Sequence, residues 1–315
     1  MASFATEVKN ELARLHVEKE ADRTAELAGL LRMSAAILFG RQGRFGVNFT
    51  SKNAAVSRKA LQLFKQAEPG MRTEIAVSRS RQFNKHNQYG VRVVPSLEGT
   101  KLLEKLGFLQ GVSLSIEPNA RLLRGNSSRV AYLRGAFLGG GSVNRPEASY
   151  HLEMVTGNYA FGKFLYDILR RMDFPVGMTE RKDGYLVYLK EGDAIVDFLG
   201  MLGADAAVEA FEVARNLKEV RGQVNRLVNC ETANLQKSVD AAGRQIEAIR
   251  TLQRHGLYEE LPPKLKKAAQ MRLQNPDASL FELAQLLDIG KSGVNHRFRK
   301  IQDLAVHAEA QARES

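Results

Sequence analysis

Two glycine-bearing helices constrain this chain more than any other feature of its sequence. The run from Tyr132 to Ser142 carries Gly135 and Gly139 four residues apart before closing in Gly139, Gly140 and Gly141. Glycines at that spacing share one helix face and open a groove where another backbone can come close. The run from Glu26 to Ala35 has the same character, and aligning Leu27 with Leu133 places Gly29 on Gly135. Strand-like runs from Phe45 and Tyr150 follow, each leading into an amphipathic helical stretch. The chain therefore holds an internal repeat, and Gly29, Gly135 and Gly139 are expected to pack its two copies together.

Both helices resemble the signature helix of the LAGLIDADG homing endonucleases. The first copy reads Leu27, Ala28, Gly29, Leu30, Leu31, Arg32, Met33, Ser34, Ala35; the second reads Leu133, Arg134, Gly135, Ala136, Phe137, Leu138, Gly139, Gly140, Gly141. In that family a motif aspartate binds the metal that activates water. Ser34 and Gly140 stand at those positions, and neither supplies the carboxylate oxygen that Mg²⁺ requires. The resemblance implies a nuclease scaffold without nuclease activity. No catalytic residue, metal site or cofactor is expected.

Among 315 residues, 46 are Lys or Arg and 35 are Asp or Glu, a net charge of +11 that favours a polyanionic partner, nucleic acid ahead of a membrane surface. A solubilising surface is the bland reading of the same charge. Cys230 is the only cysteine, which excludes an intramolecular disulfide and a cysteine-based zinc site. Its helical setting reads as a small buried hydrophobe. With neither a spanning apolar run nor a signal-peptide core, the expected location is the cytoplasm, on the nucleoid.

In chain order, Ser3 caps a helix over 4–15, within an N-terminal segment 1–22. The first repeat, 23–110, opens with a helix capped by Thr24 and running to about Phe39. A strand (44–50), a helix started by Ser51, two strands (72–78 and 88–94) and a helix (97–106) follow. The second repeat, 127–204, runs helix 128–140, strand 149–155, helix 158–171, strands 176–181 and 185–190 around a tight turn at Asp183 and Gly184, and helix 192–202. The fold class is α+β, a pseudo-twofold αββαββα pair whose sheets form one saddle. A helical connector, 205–258, ends at His255 and Gly256. Its Asn225, Asn229 and Asn234 are poor formers of helix interior and imply side-chain contacts, to the saddle domain or to phosphate.

An all-helical module, 259–315, closes the chain. Ser279 and Glu282 form a capping box ahead of an apolar helix. Asp288 stands in the turn where glycine is common, and a last helix starts at Lys291. Segment 279–312 reads as a helix-turn-helix. With Val294, Phe298 and Ile301 inward, the outer face presents Ser292, Asn295, His296 and Arg299, flanked by Lys291, Arg297 and Lys300. Arg suits guanine edges, Asn suits adenine, and Lys and Ser suit phosphates. A solvated basic helix explains the charge but not the Asn and His. On the saddle, Arg44, Asn48, Arg72 and Arg92, with the basic connection holding Arg79, Arg81 and Lys85, offer a second contact, to DNA or to protein. Glu74 and Glu153 share that face and repel phosphate. Gly290, Lys291 and Ser292 echo a phosphate loop, but Gln285 stands where its first glycine belongs.

This combination resembles the WhiA family of Gram-positive bacteria over nearly the whole chain. The resemblance is carried by Ser3, Phe4, Val8, Lys9, Glu11 and Leu12, by the block Asn225, Arg226, Asn229, Glu231, Ala233 and Asn234, and by the last helix from Lys291 to Ile301. It implies a sequence-specific DNA-binding transcriptional regulator tied to cell division, chromosome segregation and, in sporulating lineages, sporulation. It implies double-stranded DNA as partner, with a WhiB-like iron–sulfur protein in some lineages, or RNA polymerase, as a protein partner. The rival readings are an architectural nucleoid protein without promoter specificity and an active nuclease.

Overall fold

The computed structural model describes residues 3–79, 87–111, 113–115, 117–181 and 184–314, in two units, Met1–Lys218 and Glu219–Ser315. Arg81 and Lys85 of the basic connection, and Lys182 and Asp183 of the expected tight turn, lie outside the described residues, as does the Arg79 side chain.

The first unit begins with α1 (Phe4–Arg14), whose Ser3 hydroxyl accepts from the Thr6 amide at 3.2 Å. The first repeat follows as α2 (Glu20–Ser34), β1 (Ala35–Phe39), β2 (Phe45–Ser51), α3 (Ala54–Ala67), β3 (Thr73–Arg79), β4 (Asn87–Ser96) and α4 (Leu97–Lys105). A short pair, β5 (Leu109–Gln110) and β6 (Ser113–Leu114), leads to the second repeat: α5 (Asn126–Gly140), β7 (Gly141–Val143), β8 (Leu152–Thr156), α6 (Tyr159–Arg171), β9 (Gly177–Arg181), β10 (Gly184–Leu189) and α7 (Gly192–Leu202). Each repeat is thus αββαββα, with antiparallel sheets ordered β1-β2-β4-β3 and β7-β8-β10-β9. Alternation buries Phe45, Val47, Phe49, Val91 and Val93 beneath the first repeat's helices, and Leu152, Met154, Val187 and Leu189 beneath the second's.

Four local expectations need correction. The first repeat helix starts at Glu20 and ends at Ser34, and Thr24 lies inside it with its hydroxyl donating to Glu20 O at 2.8 Å. Residues 35–39 leave the helix because pairing them along β2, from Ala35 opposite Phe49 to Phe39 opposite Phe45, satisfies an otherwise open strand edge. A five-residue apolar run does not distinguish strand from helix by periodicity. Gly141 to Val143 likewise extends the second sheet beside β8. Ser51 ends β2; the cap of α3 is Asn53, whose side-chain Oδ1 accepts from the amides of Ala55 and Val56.

The two signature helices cross where their glycines lie. A Cβ added to Gly29 would sit 2.2 Å from Tyr132 O, and one added to Gly135 would sit 2.0 Å from Glu26 O. Gly139 lets Met33 and the Leu30 carbonyl approach in the same way. Beside this crossing lies a buried charge cluster that the sequence pattern did not disclose. Glu26, fully buried on α2, faces Lys59 Nζ of α3 at 3.4 Å and Arg134 Nε of α5 at 3.5 Å. Lys59 also donates to Leu15 O and Arg134 to Leu202 O, so both cations are tethered to backbone. Burial raises the Glu26 pKa; Arg134 and Lys59 pull it back.

α8 (Asp205–Arg254) carries the chain into the second unit, where α9 (Pro263–Gln274), α10 (Leu280–Leu287) and α11 (Lys291–Glu314) pack with the end of α8 around Ile249, Leu252, Leu265, Leu283, Phe298 and Ile301. Cys230, expected to be buried, is exposed in the middle of α8. Asn225, Asn229 and Asn234 are exposed too, and Asn234 Nδ2 lies 3.7 Å from Cys230 Sγ. The reason is the helix's length: its middle turns outrun both hydrophobic cores, so a helical pattern there does not imply burial.

Candidate nucleic-acid interface

The second unit builds a rigid base for α11. The capping box closes in both directions: Ser279 Oγ accepts from the Glu282 amide at 3.2 Å, and Glu282 Oε2 accepts from the Ser279 amide at 2.7 Å. The Ser279 amide, and after it the Ser279 hydroxyl, hold the Glu282 pKa below the usual carboxylate range. Asp288 takes the left-handed conformation that ends α10, φ 52° and ψ 49°, so an aspartate does here what glycine commonly does. The small Ala284, 6% exposed, lies where α10 and α11 approach.

Behind this turn stands Arg272, a residue that the sequence reading passed over. It is 1% exposed. Its guanidinium donates to the carbonyls of Asn275, Pro276 and Ala278, its Nε donates to Gln245 Oε1 at 3.0 Å, and its Cζ lies 5.5 Å from the Phe298 ring centroid. One buried cation thereby ties α8, the loop before α10 and the inner face of α11. The signal was available: Leu265, Ala268, Ala269 and Arg272 recur at helical spacing, which puts Arg272 on the buried stripe of α9.

On α11, Val294, Phe298 and Ile301 are buried. Lys291, Ser292, Asn295, His296, Arg299 and Lys300 are exposed and share the outer surface of the helix. Arg297 is set apart from them: it is half-buried, and its guanidinium reaches Lys264 O at 3.5 Å. That contact turns it toward the start of α9.

The saddle residues are arranged differently. Glu74 and Arg92 are register partners in the first sheet, and Arg92 also pairs with Asn48. The Glu74 carboxylate lies 3.5 Å from Arg72 and 3.8 Å from Arg92, so both cations are partly neutralised in place, while Arg44 is exposed. In the second sheet, Glu153 lies beside Ser142 and Tyr188, and its Oε2 is 3.0 Å from His151 Nε2.

At the positions equivalent to the endonuclease metal ligands, Ser34 donates its hydroxyl back to Leu30 O at 3.3 Å. A Cβ at Gly140 would meet Met33 Cε at 2.2 Å, so a carboxylate there would have to displace Met33. Among the described residues, no three His, Cys, Asp or Glu side chains are grouped to hold a metal ion. Among the same residues, no helix is long and apolar enough to cross a membrane.

Two LAGLIDADG-type repeats followed by a helix-turn-helix define a bipartite scaffold, and comparison with known proteins narrows it. Residues 20–109 match the WhiA N-terminal LAGLIDADG-like domain, residues 129–221 the WhiA LAGLIDADG-like domain, and residues 224–305 the WhiA C-terminal HTH domain. The "Probable cell division protein WhiA" of Desulforamulus reducens is 47% identical over 307 residues, covering 96% of this chain and 95% of its own. That of Heliobacterium modesticaldum is 43% identical over 306 residues, covering 96% of each. The crystal structure of full-length DUF199/WhiA from Thermatoga maritima superposes with a TM-score of 0.59 at 25% identity, over 97% of this chain and 99% of that one. The chain belongs to the WhiA family.

Proposed function

We propose that this protein is a sequence-specific DNA-binding transcriptional regulator acting in cell division, and that it reads bases through α11. The observation that carries this reading is the outer face of that helix. Asn295, His296 and Arg299 stand exposed beside Ser292, with Lys291 and Lys300 as flanking charges, on a helix whose opposite face is locked by Val294, Phe298 and Ile301. In this reading the lysines supply salt-dependent affinity to phosphate, and Asn295, His296 and Arg299 contact base edges in the major groove. Arg297 contributes less, because it is engaged with α9. The saddle is a weaker second surface, to DNA or to a protein partner such as a WhiB-like protein or RNA polymerase, since Glu74 offsets Arg72 and Arg92. The reading includes no nuclease activity, a nucleoid location, and roles in chromosome segregation and in sporulation where the lineage sporulates.

The test is binding of the intact protein to promoter fragments recovered by genome-wide crosslinking, against random DNA at fixed salt. Arg299→Ala is expected to weaken specific binding by about 1–3 kcal/mol and to relax sequence preference. Lys300→Ala is expected to weaken both DNAs alike and to reduce the salt slope. Equal losses on specific and random DNA for Arg299→Ala would remove base reading by that residue. Broad genomic occupancy in place of promoter peaks would favour an architectural role.

A further inference from the structure

α8 carries an apolar pattern that neither hydrophobic core uses. Val213, Val224, Leu235 and Ile246 recur every eleven residues, and so do Leu217, Val228 and Val239; Val220, Glu231 and Ala242 complete the stripe. An eleven-residue repeat keeps one face of a nearly straight helix in register, the pattern of a helix that pairs along its length with another. The central side chains are out in solvent: Val220, Val224, Val228, Leu235 and Val239 are 52–66% exposed, whereas Ala242 is buried and Ile246 half-buried at the C-terminal end of the stripe. Contiguous apolar exposure of this extent marks an interaction surface.

The spacing of the stripe is also mirror-symmetric. Reading outward from the bond between Asn229 and Cys230, Val228 mirrors Glu231, Val224 mirrors Leu235, and Val220 mirrors Val239. A sequence with that symmetry matches itself when a second copy runs the opposite way, the self-complementary condition for a twofold interface. We infer that α8 pairs antiparallel with α8 of a second copy of this chain, about a twofold axis passing between Asn229 and Cys230. Val224 then packs on Leu235 of the second copy, and Val220 on its Val239.

The surroundings of the stripe fit that occupant. Beside Leu235, Val239, Ala242 and Ile246 lies a groove of about 460 Å³, closed on its far side by the loop from Pro276 to Ser279. Its lining includes Asp277 and Glu282. Antiparallel pairing brings Val220 of the second copy to this groove, with the exposed Arg221 of that copy next to the two carboxylates. Glu231 opposes an apolar Val228, so it reaches to the edge of the pair with its carboxylate in water.

The test uses the full-length chain. Light scattering at micromolar concentration is expected to show a dimer, and Val224→Glu with Leu235→Glu a monomer of unchanged helical circular dichroism. Orientation is read in a Cys230→Ser background. A chain carrying both Val224→Cys and Leu235→Cys should give covalent dimers with a short bismaleimide, because each thiol meets its mirror mate. Val224→Cys alone should not, because in an antiparallel pair the two copies of that residue stand about 16 Å apart along the axis. A monomeric wild type, including one whose own chain covers the stripe, overturns the inference. So does a dimer that survives the two glutamates, and so does efficient crosslinking through Val224→Cys alone, which would mean a parallel pair.

Discussion

The two repeats differ most where they ought to agree. Glu26 of α2 aligns with Tyr132 of α5, and Lys59, six residues after the Asn53 cap of α3, matches Phe164, six residues after the Asn158 cap of α6. At one place the first repeat buries a Glu–Lys ion pair at 3.4 Å. At the pseudo-equivalent place the second repeat sets the buried Tyr132 edge-to-face against a half-buried Phe164, with centroids 5.8 Å apart. One scaffold thus accepts opposite chemistries at the same junction. Backbone geometry there is set by Gly29 and Gly135, whose missing Cβ atoms let the helices touch whatever the neighbouring side chains are. The ion pair is the more demanding solution. Desolvation of both charges offsets much of their attraction; Arg134 adds a second cation and two backbone carbonyls hold the cations in place, yet neither Glu26 carboxylate oxygen has a hydrogen-bond partner among the described residues.

The comparison can be broken most severely from the charged side. Lys59→Met leaves Glu26 buried with Arg134 as its remaining cation, and urea unfolding of the first unit is expected to show a loss of about 3–5 kcal/mol. A loss below about 1 kcal/mol would mean that Arg134 alone satisfies Glu26.

Making the first repeat resemble the second should recover most of that loss. Glu26→Leu combined with Lys59→Met replaces the pair by apolar side chains and is expected to lie within about 2 kcal/mol of the wild type, on either side. A double variant no better than Lys59→Met alone would show that Arg134, left without its carboxylate, dominates the cluster.

The pH dependence sharpens the contrast. Burial raises the Glu26 pKa in the fold, so the folded state holds its proton more tightly than the unfolded chain does. The contribution is fully present below the unfolded carboxylate value, about 4.3, and is lost as pH rises through the higher folded value. With Lys59 gone, less cationic charge opposes the shift. Lys59→Met should therefore lose stability more steeply than the wild type above that pH, and adding Glu26→Gln should flatten the curve. Parallel wild-type and Lys59→Met curves would show that Lys59 has no hold on Glu26.

The smallest effect belongs to the aromatic side. Tyr132 is 1% exposed, its hydroxyl has no hydrogen-bond partner among the described residues, and burial pushes its pKa up. Tyr132→Phe removes that unpartnered group while keeping the ring against Phe164. Thermal unfolding should show no change or a gain of up to about 1 kcal/mol. A clear loss would reveal a bond that the hydroxyl makes in solution.

Much of the architecture was legible because it depends on local chemistry repeated along the chain. Gly29 and Gly135 announced the repeat, alternation in 44–50 announced a strand, and Ser279 with Glu282 announced the start of α10. The outer face of α11 followed from the spacing of Val294, Phe298 and Ile301 alone. Reading failed where a residue's state depends on a neighbour distant in sequence. Residues 35–39 looked helical until β2 offered them a ladder. Cys230 looked buried because helical pattern reports periodicity, not what packs against it.

What this sequence determined by itself was the number of repeats, the helix faces and the glycine contacts, since periodicity and the absence of a Cβ act within one element. Which charges are free to meet a ligand was decided only by tertiary structure. Arg272, Arg297 and Arg72 are alike as residues. One is buried against three carbonyls, one reaches back to α9, and one shares Glu74 with Arg92. An arginine's availability depends on the partners that folding brings within about 4 Å of its guanidinium, and those come from elsewhere in the chain.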